Sequence, residues 1–538
     1  MKELLEEYID NPEAQDVINL INYTDQSIFL TGKAGTGKST LLKKIIKCTK
    51  KNYIILAPTG IAALNVGGQT IHSFFQLEPR PYLPFDKDIS ILPKKAELLE
   101  KLDLIIIDEI SMVRCDLMNA IDLALRRNLR INIPFAGKQL LLIGDLFQLP
   151  PVLDNRKVEE VNIINSNYRT PYFFSAKALE NEIKYHIIEL QKVYRQKDEV
   201  FVKLLNVIRE NYVRYEDLTF LNQRYNPNYI SESKRLEIIL ATTNDIVRQT
   251  NQKELQKLPS EQYQFQALST GTFLKEQNPD KLPAERFLQL CEGSQIMFIK
   301  NDKEKRWVNG SLGKIVSISQ NSIKAKIDTD NQIYDIQKEI WENYDYVWNI
   351  EEEKIEKSII GTFTQFPIKL AWAVTIHKSQ GQTFDKVVID MGNGAFATGQ
   401  TYVALSRCRS FEGITLKTKI NSRDIKVDER IKEYFNSKNP EVMNREKFED
   451  IVKGMRTSLN TLEPLNIELS SQLKQLNNEI LILRQSIKSK ESTIMSFYKE
   501  NEDLKLQVLE ITSKIKKQKM MILALLLTLA ISLYKVFA

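Results

Sequence analysis

The octapeptide GKAGTGKS (Gly32–Ser39) restricts the fold of this 538-residue chain more than any other stretch. It satisfies G-x-x-x-x-G-K-[ST], follows the apolar run Ile28–Leu30 and leads straight into TLLKKIIK. A strand, a tight glycine loop and a helix therefore have to succeed one another. The loop's backbone N–H groups then turn inward where the helix dipole favours an anion. Gly32, Gly35, Thr36, Gly37 and Thr40 make up the expected nucleotide cradle, with Lys38 reaching the β- and γ-phosphates and Ser39 ligating Mg²⁺. A glycine-rich turn that binds nothing is the plain alternative, and the flanking strand and helix count against it.

A second run, LIIIDEIS, supplies what such a loop needs. Asp108 leaves the end of an apolar strand, where it can hold Mg²⁺, and Glu109 beside it is suited to polarise an attacking water. An Asp-Glu pair at a strand end is often only a solvated terminus. Joined to the phosphate loop, it implies hydrolysis of a nucleoside triphosphate, most simply ATP.

The apolar runs Ser27–Leu30, Tyr53–Ala57, Leu104–Ile107 and Leu140–Ile143 alternate with helical patterns, which predicts a parallel sheet covered on both faces. LEIILATTN and KVVIDMG predict a second one. Between them, the glycine-punctuated GSQIMFIKND and WVNGSLGKIVSIS predict a small antiparallel or barrel-like insertion. A net charge of +6 permits a nucleic-acid partner without arguing for one. Cys48, Cys115, Cys291 and Cys408 lie far apart and His72, His186 and His377 are the only histidines, which disfavours a disulfide framework, a zinc site and a multi-His centre. MKELLEEYID has no apolar signal-peptide core, so no export signal is expected.

Six blocks give the chain a family likeness: APTGIAALNVGGQTIHSFF, LIGDLFQLPPV, LQKVYRQKD, WVNGSLGKIV, LAWAVTIHKSQGQTF and TYVALSRCRS. They follow one another as in superfamily-one DNA helicases, and from roughly Gln15 to Leu416 the chain resembles the PIF family, relatives of the bacterial RecD-type enzymes. The resemblance implies an α/β protein with two RecA-like phosphate-loop motor domains. These would occupy residues 1–185, with a small excursion over 76–98, and 186–420, with a β-rich, barrel-like insertion at about 258–365. It also implies an ATP- and Mg²⁺-dependent DNA helicase moving five-prime to three-prime on single-stranded DNA and acting on forked or structured DNA, in a family tied to DNA repair, recombination and telomere maintenance.

Residue by residue, the likeness makes Gln148 a γ-phosphate sensor, Arg195 and Arg407 the arginines that reach the nucleotide from the inter-domain cleft, and Gln15 the adenine reader. A glutamine on an exposed helix face is the alternative for Gln15. Pro58, Thr59, Gly60, His72, Ser73 and Phe74 in the first domain, and Thr375, His377, Lys378 and Gln380 in the second, match stretches that grip DNA. Hydroxyls and backbone donors there would hold phosphates, and Phe74 would stack on a base of any identity. Phe74 and Phe75 as core residues, and His377 as a structural histidine, stay open. The short excursion after Phe75 argues against a large strand-separating wedge. A nucleotide-switched membrane scaffold and an RNA motor are the rival readings.

Beyond a polar linker (421–466) the likeness explains nothing. Over a coiled coil (467–519), Leu473, Ile480, Ile487, Ile494, Val508 and Ile515 fall at heptad position a, and Leu469, Leu476, Leu483, Phe497, Leu504 and Ile511 at d. Lys490 interrupts d and Asn501 sits at a, a pattern that favours a parallel homodimer over a single helix packed on the motor. Met520–Ala538, preceded by Lys514, Lys516, Lys517 and Lys519, predicts a C-terminal transmembrane anchor with the motor on the cytoplasmic side.

Overall fold

The computed structural model describes residues 11–153, 157–182, 184–196, 198–229, 236–320, 322–328, 330–438 and 445–537; for 181, 182, 280, 445–467, 469, 470, 473, 474, 477, 528 and 530–537 it describes the backbone alone. Two units result, Met1–Asn444 and Arg445–Ala538.

The first unit opens with α1 (Pro12–Tyr23), started by Pro12 in its first turn and by Asn11, whose Oδ1 accepts from the Ala14 N–H at 3.1 Å. Then come β1 (Ser27–Gly32), α2 (Lys38–Cys48), β2 (Tyr53–Ala57), β3 (Gln69–Thr70), β4 (Leu104–Ile107), α3 (Cys115–Leu129), β5 (Gln139–Ile143) and β6 (Tyr185–Leu190). The strands form one parallel sheet in the order β3-β2-β4-β5-β1-β6. β1, β4 and β5 are buried along their whole length, which is why they read as near-continuous apolar runs. β6 pairs with β1 from Ser27↔Tyr185 to Gly32↔Leu190, so the first lobe runs to Leu190, past the expected boundary at residue 185.

The second lobe carries α4 (Glu199–Glu210), β7 (Ile238–Ala241), β8 (Ala373–Thr375), β9 (Val387–Asp390), α5 (Gln400–Ser406) and β10 (Ile414–Leu416). Its parallel sheet has the order β8-β7-β9-β10. Phe201, Leu204, Leu205 and Ile208 recur at helical spacing on α4 and pack it against this sheet.

Between β7 and β8 lies the β-rich insertion. Its five-stranded antiparallel sheet runs, in spatial order, through Ile333–Ile336, Ile323–Ile327, Leu312–Ile318, Gln295–Phe298 and Ile368–Leu370. The order is that of an open sheet rather than the barrel-like insertion expected. Beside it the long hairpin Glu339–Asn349/Lys354–Gln365 reaches back to the first lobe. There the Tyr346 hydroxyl accepts from the Ile55 N–H at 3.0 Å, and Asp345 meets Lys95 at 2.5 Å.

The linker expectation needs correction. The stretch read as linker contains α6 (Glu429–Ser437), whose Ile431 and Tyr434 enter the core of the first lobe. Tyr434 stacks on Phe174 at 4.0 Å between centroids, and Phe435 stacks on Phe147 at 5.8 Å. Polar composition hid an Ile431, Tyr434, Phe435 spacing that forms one apolar face.

The second unit is one helix, α7 (Arg445–Phe537). A transmembrane anchor was expected at Met520–Ala538, but among the described residues no helix is long and apolar enough to cross a membrane. Within that segment, the side chains of residues 528 and 530–537 and all of residue 538 lie outside the described residues, so the expected anchor falls in part beyond them. The a and d side chains of Leu473 and Leu469 lie outside them too.

Candidate active site between two lobes

The residues singled out for chemistry gather where strands end. Gly32 closes β1, Asp108 follows β4, and Asp145 and Gln148 follow β5, all at the carboxyl edge of the first sheet. Open α/β sheets bind ligands at that edge.

Gly35 has φ 85°, and a Cβ there would lie 2.5 Å from the Cβ of Arg195, so only glycine fits. The Lys38 ammonium donates to the carbonyls of Gly32 (2.6 Å) and Lys33 (3.2 Å). Burial lowers its pKa, while Asp145, Glu109 and Asp108 pull the other way. Ser39 and Thr40 are exposed on the first turn of α2, and Thr36 is buried within the loop. Tyr194, next to Arg195, donates its N–H to the Gly35 carbonyl at 2.9 Å and lays its ring on Gly37. Its hydroxyl accepts from Asn11 at 3.4 Å, which brings the start of α1 beside the loop. Gln15 is half-buried on that helix, its amide donating to Asn19 at 3.0 Å.

Burial raises the pKa of Asp108. Burial and then the charge of Asp108 raise Glu109 to about 7, against Lys38 and Arg407. The Ser39 hydroxyl and the Asp108 carboxylate are hard oxygen donors beside a phosphate loop, a donor set that fits Mg²⁺. Among the described residues no cluster of three or more His, Cys, Asp or Glu competes for a metal.

Three residues of this site were not singled out from the sequence. Asp145 is buried, accepts from Gln148 Nε2 at 3.1 Å, and meets Arg209 of α4 at 3.0 Å. Burial pushes the Asp145 pKa up, but Arg209, Lys38 and the two hydrogen bonds outweigh it, and the net shift is downward. Arg209 also stacks over the Phe147 ring at 4.3 Å. It had one signal in the sequence: an arginine one step past Ile208 on the apolar face of an amphipathic helix. Tyr402 of α5 is the third, its hydroxyl accepting from the Ala34 N–H within the phosphate loop at 2.9 Å.

From the second lobe, Arg407 lies at the end of α5, only 1% exposed. Burial and the neighbouring Arg195 lower its pKa to about 9, against Tyr402, Glu109 and Asp145. Arg195 donates to the Ser406 carbonyl at 3.0 Å, and burial lowers its pKa as well. Among the described residues neither guanidinium forms a salt bridge; Arg407 is buried and Arg195 half-buried. Gln380, assigned to DNA by its motif, lies instead in the cleft, where its Nε2 donates to Glu109 Oε2 at 3.1 Å and Gln148 Oε1 at 3.3 Å.

The remaining DNA candidates are split. Thr59 is exposed and caps the helix Gly60–Val66, with Pro58 and Gly60 half-buried on either side. Ser73 is exposed, and His72 is half-buried with its pKa lowered by burial and by Arg114. Phe74 is a correction: it is fully buried, 4.8 Å from Phe75 and 5.9 Å from Tyr346, with Lys95 over its ring, and cannot stack on a base. In the second lobe Thr375 is buried and accepts from the Lys378 N–H at 3.2 Å, while Lys378 is exposed. His377 is half-buried and stacks on Phe396, which is 61% exposed.

A profile of the PIF1-like helicase family matches residues 11–217. The ATP-dependent DNA helicase PIF1 of Danio rerio is 33% identical over 409 residues, spanning 75% of this chain and 60% of its own length. This chain thus spans about 60% of the length of that curated relative. Bacteroides sp Pif1 in complex with ADP-AlF4 is 36% identical with a TM-score of 0.72, covering 80% of this chain and 97% of its own. Bacteroides Pif1 bound to ssDNA is 37% identical with a TM-score of 0.59, again covering 80% and 97%. Loop, carboxylates and opposing arginines meet in one cleft, and by this likeness the chain belongs to the PIF1-like helicase family.

Proposed function

We propose that this chain is an ATP-dependent DNA helicase that hydrolyses ATP to move five-prime to three-prime along single-stranded DNA, including the free strand of a fork. The observation that carries the reading is the set of contacts joining the lobes at the phosphate loop: Tyr402 to Ala34, Arg209 to Asp145, and Gln380 to Glu109 and Gln148. The named ligands of the Bacteroides relatives, ADP-AlF4 and ssDNA, support it.

In this reading Lys38 and the loop N–H groups hold the triphosphate. Bound Mg²⁺, ligated by Ser39 and Asp108, would neutralise charge on the phosphate oxygens. Glu109 accepts the proton of the attacking water at its carboxylate, and the Gln148 amide orients that water. Arg407, buried, and Arg195, half-buried, meet the charge that develops on the transferred group. Because those arginines sit on or beside the second lobe, hydrolysis is tied to the distance between lobes. Thr59, just beyond β2, and Lys378, just beyond β8, are exposed donors suited to DNA phosphates.

ATP turnover with and without single-stranded DNA tests the proposal. Stimulation by DNA and its loss in Lys38→Ala are expected. Turnover indifferent to DNA would overturn the motor reading, and stimulation by RNA alone would replace DNA as the track.

A further inference from the structure

The apolar seam of α7 has no role in the cleft. Its described side chains Leu476, Ile480, Leu483, Ile487, Ile494, Phe497, Leu504, Val508, Ile511 and Ile515 are between 43% and 61% exposed. From Leu476 to Ile515 this line runs about 58 Å at helical rise. So long an uncovered apolar stripe marks an interaction surface. The period of the stripe limits its occupant to another helix, since 3.5-residue spacing is what two supercoiled helices keep facing each other.

The charges beside the stripe choose which helix. With Ile480 and Ile487 at a, Glu479 and Glu500 fall at g, and Arg484 and Lys505 fall at e. In a parallel, in-register pair each g residue faces the e residue five places on in the other chain. Glu479 therefore meets the second copy's Arg484, and Glu500 meets its Lys505, while the remaining g–e pairs between Gln472 and Thr512 bring no like charges together. Asn501 falls opposite itself only in that register, where an amide pair at a satisfies both side chains and penalises any slip. β-Branched Ile480, Ile487, Ile494 and Val508 at a, with Leu476, Leu483 and Leu504 at d, select two strands.

We propose that α7 is a self-recognition surface that pairs two copies of this chain as a parallel, in-register two-stranded coil, with Asn501 setting the register and Glu479–Arg484 and Glu500–Lys505 setting the orientation. The proposal is independent of the reaction in the cleft.

Analytical ultracentrifugation of the full chain tests it. The expected species has twice the 62.4 kDa chain mass. Glu479→Lys with Glu500→Lys should weaken the dimer on the order of tenfold or more, and adding Arg484→Glu with Lys505→Glu should restore it. Val508→Cys should cross-link to itself under mild oxidation to a degree the parent chain does not, because residue 508 meets residue 508 only in the parallel register. A monomer at micromolar concentration would overturn the proposal. So would a dimer unmoved by the charge reversals, a trimer or tetramer, or a Val508→Cys chain that does not cross-link.

Discussion

The two lobes bring opposite chemistry to one cleft. The first contributes the phosphate cradle, the acids Asp108, Glu109 and Asp145, and the amide of Gln148, all at ends of strands in a single sheet. The second contributes cations and donors, Arg407, Arg209 and Gln380, from helix ends and a turn. The difference teaches that neither lobe holds a complete site. A carboxylate raised to about 7 and a guanidinium lowered to about 9 are both poor arrangements alone, and each is relieved by the other's approach or by a bound anion.

Removing one side of this pairing should cost most. Arg407→Ala is expected to lower kcat by roughly 10³–10⁵-fold, with nucleotide affinity far less affected, as steady-state kinetics with a fluorescent nucleotide titration would show. An equal loss in both would mean that Arg407 only binds. Next, Glu109→Gln keeps shape and hydrogen bonding but removes the proposed base. Turnover should fall about 10²–10⁴-fold while ATP and DNA still bind, and full activity would reassign the base.

The third test separates structure from chemistry. Arg209→Leu leaves Asp145 buried without its partner and should destabilise the folded chain by about 3–5 kcal/mol in denaturant unfolding, and adding Asp145→Asn should recover much of that loss. The smallest effect belongs to Tyr402→Phe, which deletes one hydrogen bond to the phosphate loop. A change of about 0.5–1.5 kcal/mol is expected, read as a severalfold rise in KM for ATP.

How far the sequence could be read follows the same division. Gly32–Ser39, Asp108 and Glu109 were visible because each interrupts or ends an apolar run, a local signal that needs no partner, whereas Gln148 was legible only through the family likeness. Asp145 stands within the quoted GDLFQLPPV, yet its meaning depends on Arg209 more than sixty residues away, which no local pattern records. Tyr402 was hidden for the same reason. Phe74 misled in the opposite direction. The family likeness set it against a base, with a core place left open, whereas the hairpin that covers it carries Tyr346, far along the chain. Gln380 matched a DNA-gripping motif by neighbourhood, but only folding shows that its side chain turns to Glu109.

The docking of α6 has a mechanical consequence. After the second lobe is complete, the chain returns to the first and is clamped there by Tyr434 on Phe174 and by the Tyr172 hydroxyl on Asp428 at 3.0 Å. Whatever follows Lys438 is thereby wired to the first lobe. A load pulling on the far end of the polypeptide would brace that lobe as a stator and leave the other as the swinging arm.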